Sequence, residues 1–252
     1  QRIGAPRSPT GQNGPVVDLG KLWDFDDPAG SEQRLRTMLA GALGPDRAVL
    51  QTQVARALGL QQRYAEALAV LDAVDSDDPE VHVRILIERG RVNRSSGDEA
   101  AAAPLFRAAV ASADGAGMEA LAIDAMHMVA LTLTGPEQVD YTRSILQRAR
   151  ASTDPGANRW VASVLNNLGM AHSELGQWQP ALDAFEEALA ERRTGTDEQA
   201  IEVARWMVAW ALRNLGRTGE ALAAQRSLKV DLAAAGREDP YVDEELALLE
   251  GR

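Results

Sequence analysis

The chain has 252 residues, a net charge of −11 and a pI near 4.8, and it contains no cysteine. That acidity argues against nucleic acid as the main partner, and the missing cysteines exclude disulfides, thiolate metal sites and a cysteine nucleophile. Hydrophobic residues make up 45% and aromatics only 4%; much of the hydrophobic share is alanine, which suits close helix–helix packing and not a β-sandwich.

Residues 1–20 hold four glycines and three prolines among polar residues and are expected to form a flexible tail. Residues 21–47 read as an N-terminal segment and capping helix. The segment carries Trp23-Asp24-Phe25-Asp26-Asp27, and Asp27 before Pro28 is a helix-start signal, a capping side chain followed by proline in the first turn. The helix is predicted over 29–43, with Leu35, Met38, Leu39 and Leu43 on one face. A repeated pattern then runs through 48–232. It appears first as Val54-Ala55, Leu58, Tyr64, Ala67-Leu68, Leu71, Val74 and Pro79, and next as Leu86, Gly90, Gly97, Ala102, Phe106 and Ala109. A degenerate unit over about 118–152 keeps Met126, Val129, Ala130, Leu133, Leu146 and Ala149, with its turn at Gly135-Pro136. The fullest unit has Leu165-Asn166-Asn167-Leu168-Gly169, His172, Gly176, Trp178, Ala181-Leu182, Phe185 and Ala188-Leu189, and the last has Val208-Ala209, Leu212, Gly216, Ala221-Leu222 and Leu228. Turn-forming residues at Ala113–Gly117, Ser152–Asn158 and Arg193–Gln199 separate the units. Residues 233–252 read as a C-terminal capping helix opened by Pro240, with Leu246, Leu248 and Leu249.

The spacing of Leu165, Gly169, Gly176, Ala181, Phe185 and Ala188 resembles the tetratricopeptide repeat. The physical sense is direct. Gly169 and Ala181 let the two helices of a unit approach, Phe185 and Leu165 fill the space between them, and Gly176 breaks the first helix at the turn. The units step by about 35–40 residues, close to the ~34 of the simple repeat. The resemblance implies an all-α, right-handed helical-repeat solenoid of antiparallel helix pairs, about five units over 48–232, closed by capping helices at both ends.

It also implies a concave surface lined by the first, or A, helix of each pair, where partners of such proteins usually lie. Carrying the template across gives Gln53 and Arg56 from the first unit and Arg84, Ile87, Arg91 and Arg94 from the second. The degenerate unit gives His127 and Leu131; the fourth gives Asn166, Asn167 and Met170; the last gives Trp206, Trp210 and Arg213. Arg and Trp are common at binding hot spots, and Arg matches carboxylates with a bidentate fork. The set therefore points to an acidic peptide with a large apolar anchor, set against ordinary helix-surface ion pairs for the arginines and packing on the C-terminal cap for the tryptophans. Some relatives clamp chaperone C-termini with lysines; Thr52 and Ile87 stand at those positions, so that recognition is not expected. Trp23, Phe25 and Asp26 form a segment of the chemistry such a groove would take. They either dock in the groove of their own or a neighbouring copy or staple the first helix to the repeats.

Catalytic patterns are missing. His82, His127 and His172 stand far apart, without metal-ligand spacing, and His172 falls where the family packs a tyrosine. No nucleophile-elbow, phosphate-loop or dinucleotide fingerprint occurs. The expectation is therefore no enzyme, cofactor or metal, and a protein-binding scaffold as the leading function. A peptide- or small-ligand-sensing regulator is the alternative, and an enzyme on a repeat frame ranks last. No apolar run approaches the ~20 residues of a membrane span. The arginine-rich, lysine-poor composition fits a GC-rich bacterial genome, and a cytoplasmic location is expected, with the start at Gln1 leaving a removed leader open.

Overall fold

The computed structural model describes residues 19–251, and among them there is no strand. A single 3-10 turn over Leu19–Leu22 precedes α1 (Pro28–Gly41), α2 (Gly44–Leu60), α3 (Tyr64–Asp72) and α4 (Pro79–Ser95). Then follow α5 (Glu99–Gly115), α6 (Glu119–Ala130), α7 (Gly135–Ala151), the short α8 (Pro155–Asn158), α9 (Val161–Glu174) and α10 (Trp178–Arg192). The chain closes with α11 (Glu198–Asn214), α12 (Thr218–Ala234) and α13 (Pro240–Glu250). It divides into two compact units, the first ending at Asp98 and the second beginning at Glu99. The expected flexible tail lies, up to residue 18, outside the described residues, as does Arg252.

Helix starts follow the acidic signals in the sequence. Asp27 caps α1 by accepting from the Gly30 amide, and Asp78, Asp197 and Asp239 do the same for α4, α11 and α13. In the first unit α2 packs against α1, α3 and α4 around Leu35, Leu50, Val54, Leu58 and Leu71. Two expectations need correction here. The capping helix ends at Gly41, and Leu43, placed on its inner face, is 83% exposed at the start of α2. Gly44, at φ +57, turns the chain there, so the helical phase of Leu35 and Leu39 does not carry on to Leu43. The stretch 152–158, read as a linker, instead folds its second half into α8, which packs under α6 with Ala157 fully buried.

In the second unit successive helices pack as hairpins, α9 on α10 most extensively, then α10 on α11 and α11 on α12. A Cβ added at Gly169 of α9 would lie 2.4 Å from a ring carbon of Phe185 in α10, so glycine is what lets that ring sit fully buried against the helix. The α9–α10 turn has Gly176 at φ +69, and the Gln177 amide donates back to the His172 carbonyl at 2.9 Å. The degenerate unit lacks that turn: α6 is only 12 residues long, and the chain leaves it through a Leu133-to-Ala130 bond before Gly135-Pro136 opens α7.

Several ties between segments run through guanidinium groups. Arg63 reaches Glu32, Arg237 reaches Glu202, and Arg148 of α7 binds Glu119 of α6 through both carboxylate oxygens, at 2.8 and 2.7 Å. Arg148 also reaches Asp114 of α5 at 2.7 Å. Its hydrogen bond holds the Glu119 carboxyl below the usual carboxylate range, outweighing partial burial. A folded-state pKa that is depressed contributes stability above the unfolded value of about 4.3, and this contribution is lost as pH falls through the folded value. An Arg148→Gln variant is therefore expected to be less stable than the wild type near pH 7, with a smaller gap at an acid pH below the unfolded value, as Glu119 takes up its proton. Urea midpoints at the two pH values check this; a gap that stays constant would mean that Arg148 acts by packing alone.

Candidate functional site

In the first unit the A helices are α2 and α4. Their predicted binding residues share a buried ionic centre that the sequence did not reveal. Glu88 of α4 is 3% exposed; its Oε1 accepts from Arg91 Nη1 at 2.5 Å and lies 4.0 Å from Arg56 Nη1 of α2. Its Oε2 has no hydrogen-bond partner among the described residues, and neither has the buried Nε of Arg94. Arg84 pairs with Glu80 one turn back, at 2.8 Å. Two expected groove residues are not open: Ile87 is core, 1% exposed, and Gln53 is covered. Ile87 stands three, four and seven residues from Arg84, Arg91 and Arg94 and so shares their side of α4; it is buried where the longer arginine side chains reach out past it.

Gln53 is covered by Trp23. The indole Nε1–H donates to Gln53 Oε1 at 3.0 Å, and the ring stacks on Phe25 at 5.0 Å with 7° between planes. Arg56 places its guanidinium over both rings, 5.5 Å from Trp23 and 5.4 Å from Phe25. The segment is pinned behind the rings by reciprocal bonds between the Asp24 backbone and the Ser31 hydroxyl, each 2.8 Å, and by Arg34 donating to the Leu22 carbonyl. Asp26 is exposed, its amide turned onto Asp24 Oδ1.

In the second unit the A helices are α6, α9 and α11. His127, expected to stand alone, does not. Its Nδ1 lies 2.8 Å from Asn167 Nδ2, and its ring packs 5.2 Å from Trp160, just ahead of α9. Asn166, Asn167 and Met170 are half-buried along α9. His172 is buried, with Nδ1 2.6 Å from Gln177 Oε1, as a packing role requires. On α11 the two tryptophans stack at 6.0 Å. Trp210 meets the edge of Trp178 at 5.0 Å, and Trp206 meets Tyr241 of the C-terminal helix at 6.5 Å. Arg213 makes a two-point fork to Glu245 of α13, at 2.7 and 2.8 Å, and that carboxylate is 5% exposed. The fork raises the Arg213 pKa further above its usual value. Arg213 thus ties down the cap, while Trp206 and Trp210 share their surface between the A face and their neighbours. Among the described residues no group of three or more His, Cys, Asp or Glu could hold a metal ion, and no helix is long and apolar enough to cross a membrane.

A family model described as a tetratricopeptide repeat matches residues 161–194, the hairpin of α9 and α10. No curated protein matches the sequence. Among solved structures the chain is similar to BtubC (BKLC) from P. vanneervenii, with a TM-score of 0.58 and 18% identity over 89% of this chain and 95% of that one. It is similar as well to the apo form of the quorum sensor NprR from B. thuringiensis, at 0.62 and 15% over 90% of this chain and 64% of that one. NprR in complex with its cognate peptide NprX gives 0.59 and 16%, over 92% and 67%. At these identities the likeness concerns the fold, and the all-α helical-repeat class read from the sequence is borne out.

Proposed function

We propose that this tetratricopeptide-like helical-repeat protein binds a segment of another polypeptide on its A-helix faces and has no catalytic activity of its own. One observation carries the reading. The A face of α2 takes an irregular stretch of chain, with an indole seated on Gln53 and Arg56. A surface that accepts one such segment has the chemistry to accept another. The half-buried Asn166, Met170, Trp206 and Trp210 offer amide and aromatic contacts of the same kind in the second unit. Arg56, Arg84, Arg91 and Arg94 favour an acidic partner with an apolar anchor, although Glu80 and Glu88 already answer part of their charge.

The test is affinity capture from native extract with the wild type, an Arg84→Glu variant and an Asn166→Arg variant, each checked for helicity by circular dichroism. Neither side chain is in the core, so both variants should fold. A protein retained by the wild type and lost from either variant is the expected result. Identical partners on all three baits would remove the A faces from consideration. A second reading, a sensor of short peptides, draws on the fold shared with NprR, whose structure carries its cognate peptide. It predicts a thermal shift with a low-molecular-mass fraction of the extract and no stable protein on the bait.

A further inference from the structure

We infer that the Trp23–Phe25 segment is a built-in occupant of the α2 A face, which an incoming acidic, aromatic segment must displace. The inference rests on the binding reading above and adds its regulation.

The contact has the character of a ligand more than of a core. Phe25 remains 59% exposed although it is stacked on Trp23, so its ring completes no interior. Trp23 packs partly on the core cluster beside Leu19 and Leu22, and beyond that packing the pair gains directional contacts: one indole hydrogen bond to Gln53 and one guanidinium shared by two rings. The hydrophobic anchoring of the N-terminal segment has further sources, since Leu19 and Leu22 pack on the same core cluster. Releasing the two rings would therefore leave the segment tethered by Leu22 and by the Asp24–Ser31 bonds.

Charge points the same way. Asp24, Asp26 and Asp27 are neighbours of the two aromatic residues in the sequence, and Arg56, Arg84, Arg91 and Arg94 belong to the two A helices of this unit. Arg56 connects the two, with its guanidinium over Trp23 and Phe25 and 4.0 Å from the buried Glu88 that Arg91 also holds. An aromatic side chain flanked by carboxylates, arriving from a partner, would meet the same Gln53 acceptor and Arg56 guanidinium that the chain's own segment uses. The two compete because the incoming ring would use Gln53 Oε1 and the Arg56 guanidinium, which Trp23 and Phe25 already occupy.

The experiment needs no identified partner. The probe is a fluorescein-labelled synthetic peptide with the sequence of residues 21–29, titrated by anisotropy into three full-length chains. These are the wild type, an opened Trp23→Ala/Phe25→Ala variant, and the opened variant carrying Arg56→Ala. A tethered segment competes at an effective concentration of about millimolar, so a peptide that binds at about 100 µM should bind the wild type roughly tenfold more weakly than the opened variant. Adding Arg56→Ala should abolish binding. The opened variant should melt within a few degrees of the wild type. Failure of the opened variant to bind, equal binding to all three chains, or a cooperative loss of structure on opening would each overturn the inference and leave the segment as a staple. Phe25→Ala alone, at a mostly exposed position, guards against misfolding: it should bind the probe more tightly than the wild type does. Capture of the same partner, at the same level, by the wild type and the opened variant would preserve the binding reading and overturn this one.

Discussion

Replacing Phe185 by alanine should lower the unfolding free energy by about 3–5 kcal/mol, the range for truncating a fully buried phenylalanine. The ring is 0% exposed and lies between the Gly169 backbone and Trp210, 6.3 Å from the latter's centroid. For a chain of this size the loss corresponds to a melting temperature lower by about 6–20 °C, read by circular dichroism. The sharper form of the prediction is a cycle with Gly169→Ala. In the wild type that methyl would stand 2.4 Å from a Phe185 ring carbon, an overpacking that costs about 1–3 kcal/mol and exceeds the ~1 kcal/mol alanine gains in a helix interior. In the Phe185→Ala background the same methyl enters the space the ring has left, and the helix gain is all that remains. Gly169→Ala should therefore be destabilising alone and stabilising in the double variant. Additive effects would mean that glycine is there for some reason other than the ring.

The second large effect is at the C-terminal cap. Arg213→Ala would leave Glu245 buried without the guanidinium that binds both its oxygens. Breaking a fully buried pair costs about 3–5 kcal/mol; since the Arg213 side chain is 28% exposed, about 2–4 kcal/mol is expected here. Loss of the pair frees α13 from α11 and uncovers Leu228, Leu232, Val242 and Leu246, so the change should show as early protease sensitivity after Arg237 as well as a lower melting point. A double Arg213→Met/Glu245→Leu variant removes both charges and should recover most of the loss. If the single variant is as stable as the wild type, Glu245 is reached by water and the fork is a surface contact.

The fold was legible where close packing restricts residue choice. Gly169 opposite Phe185 can be read from sequence because few alternatives put a ring against a helix backbone, and Asp-Pro and Asp-x-x starts mark helix ends by local chemistry alone. The site was legible only in part, because its residues take their meaning from partners far along the chain. Arg213 looked available until Glu245, 32 residues on, answered it, and His127 looked solitary until Asn167 did, 40 residues on. Ile87 shows the other failure. It shares a side of α4 with Arg84, Arg91 and Arg94, at spacings of three, four and seven residues, so helical register alone does not separate the core residue from the partly exposed arginines. The short α8 had no distinctive signal beyond Asp154-Pro155, which reads equally well as a turn.

The guanidinium ties between segments also determine what covalent chemistry can reach. Of the 26 basic residues only Lys21 and Lys229 are amines. Acetyltransferases and amine-reactive reagents would pass over Arg63–Glu32, Arg148–Glu119, Arg213–Glu245 and Arg237–Glu202 without loosening them. Lys229 is different: its Nζ holds Asp243 of α13 at 2.6 Å, and it is largely exposed. Acylation there removes the charge and one of the ties of the terminal helix, so a modification of Lys229 would register as a change at α13.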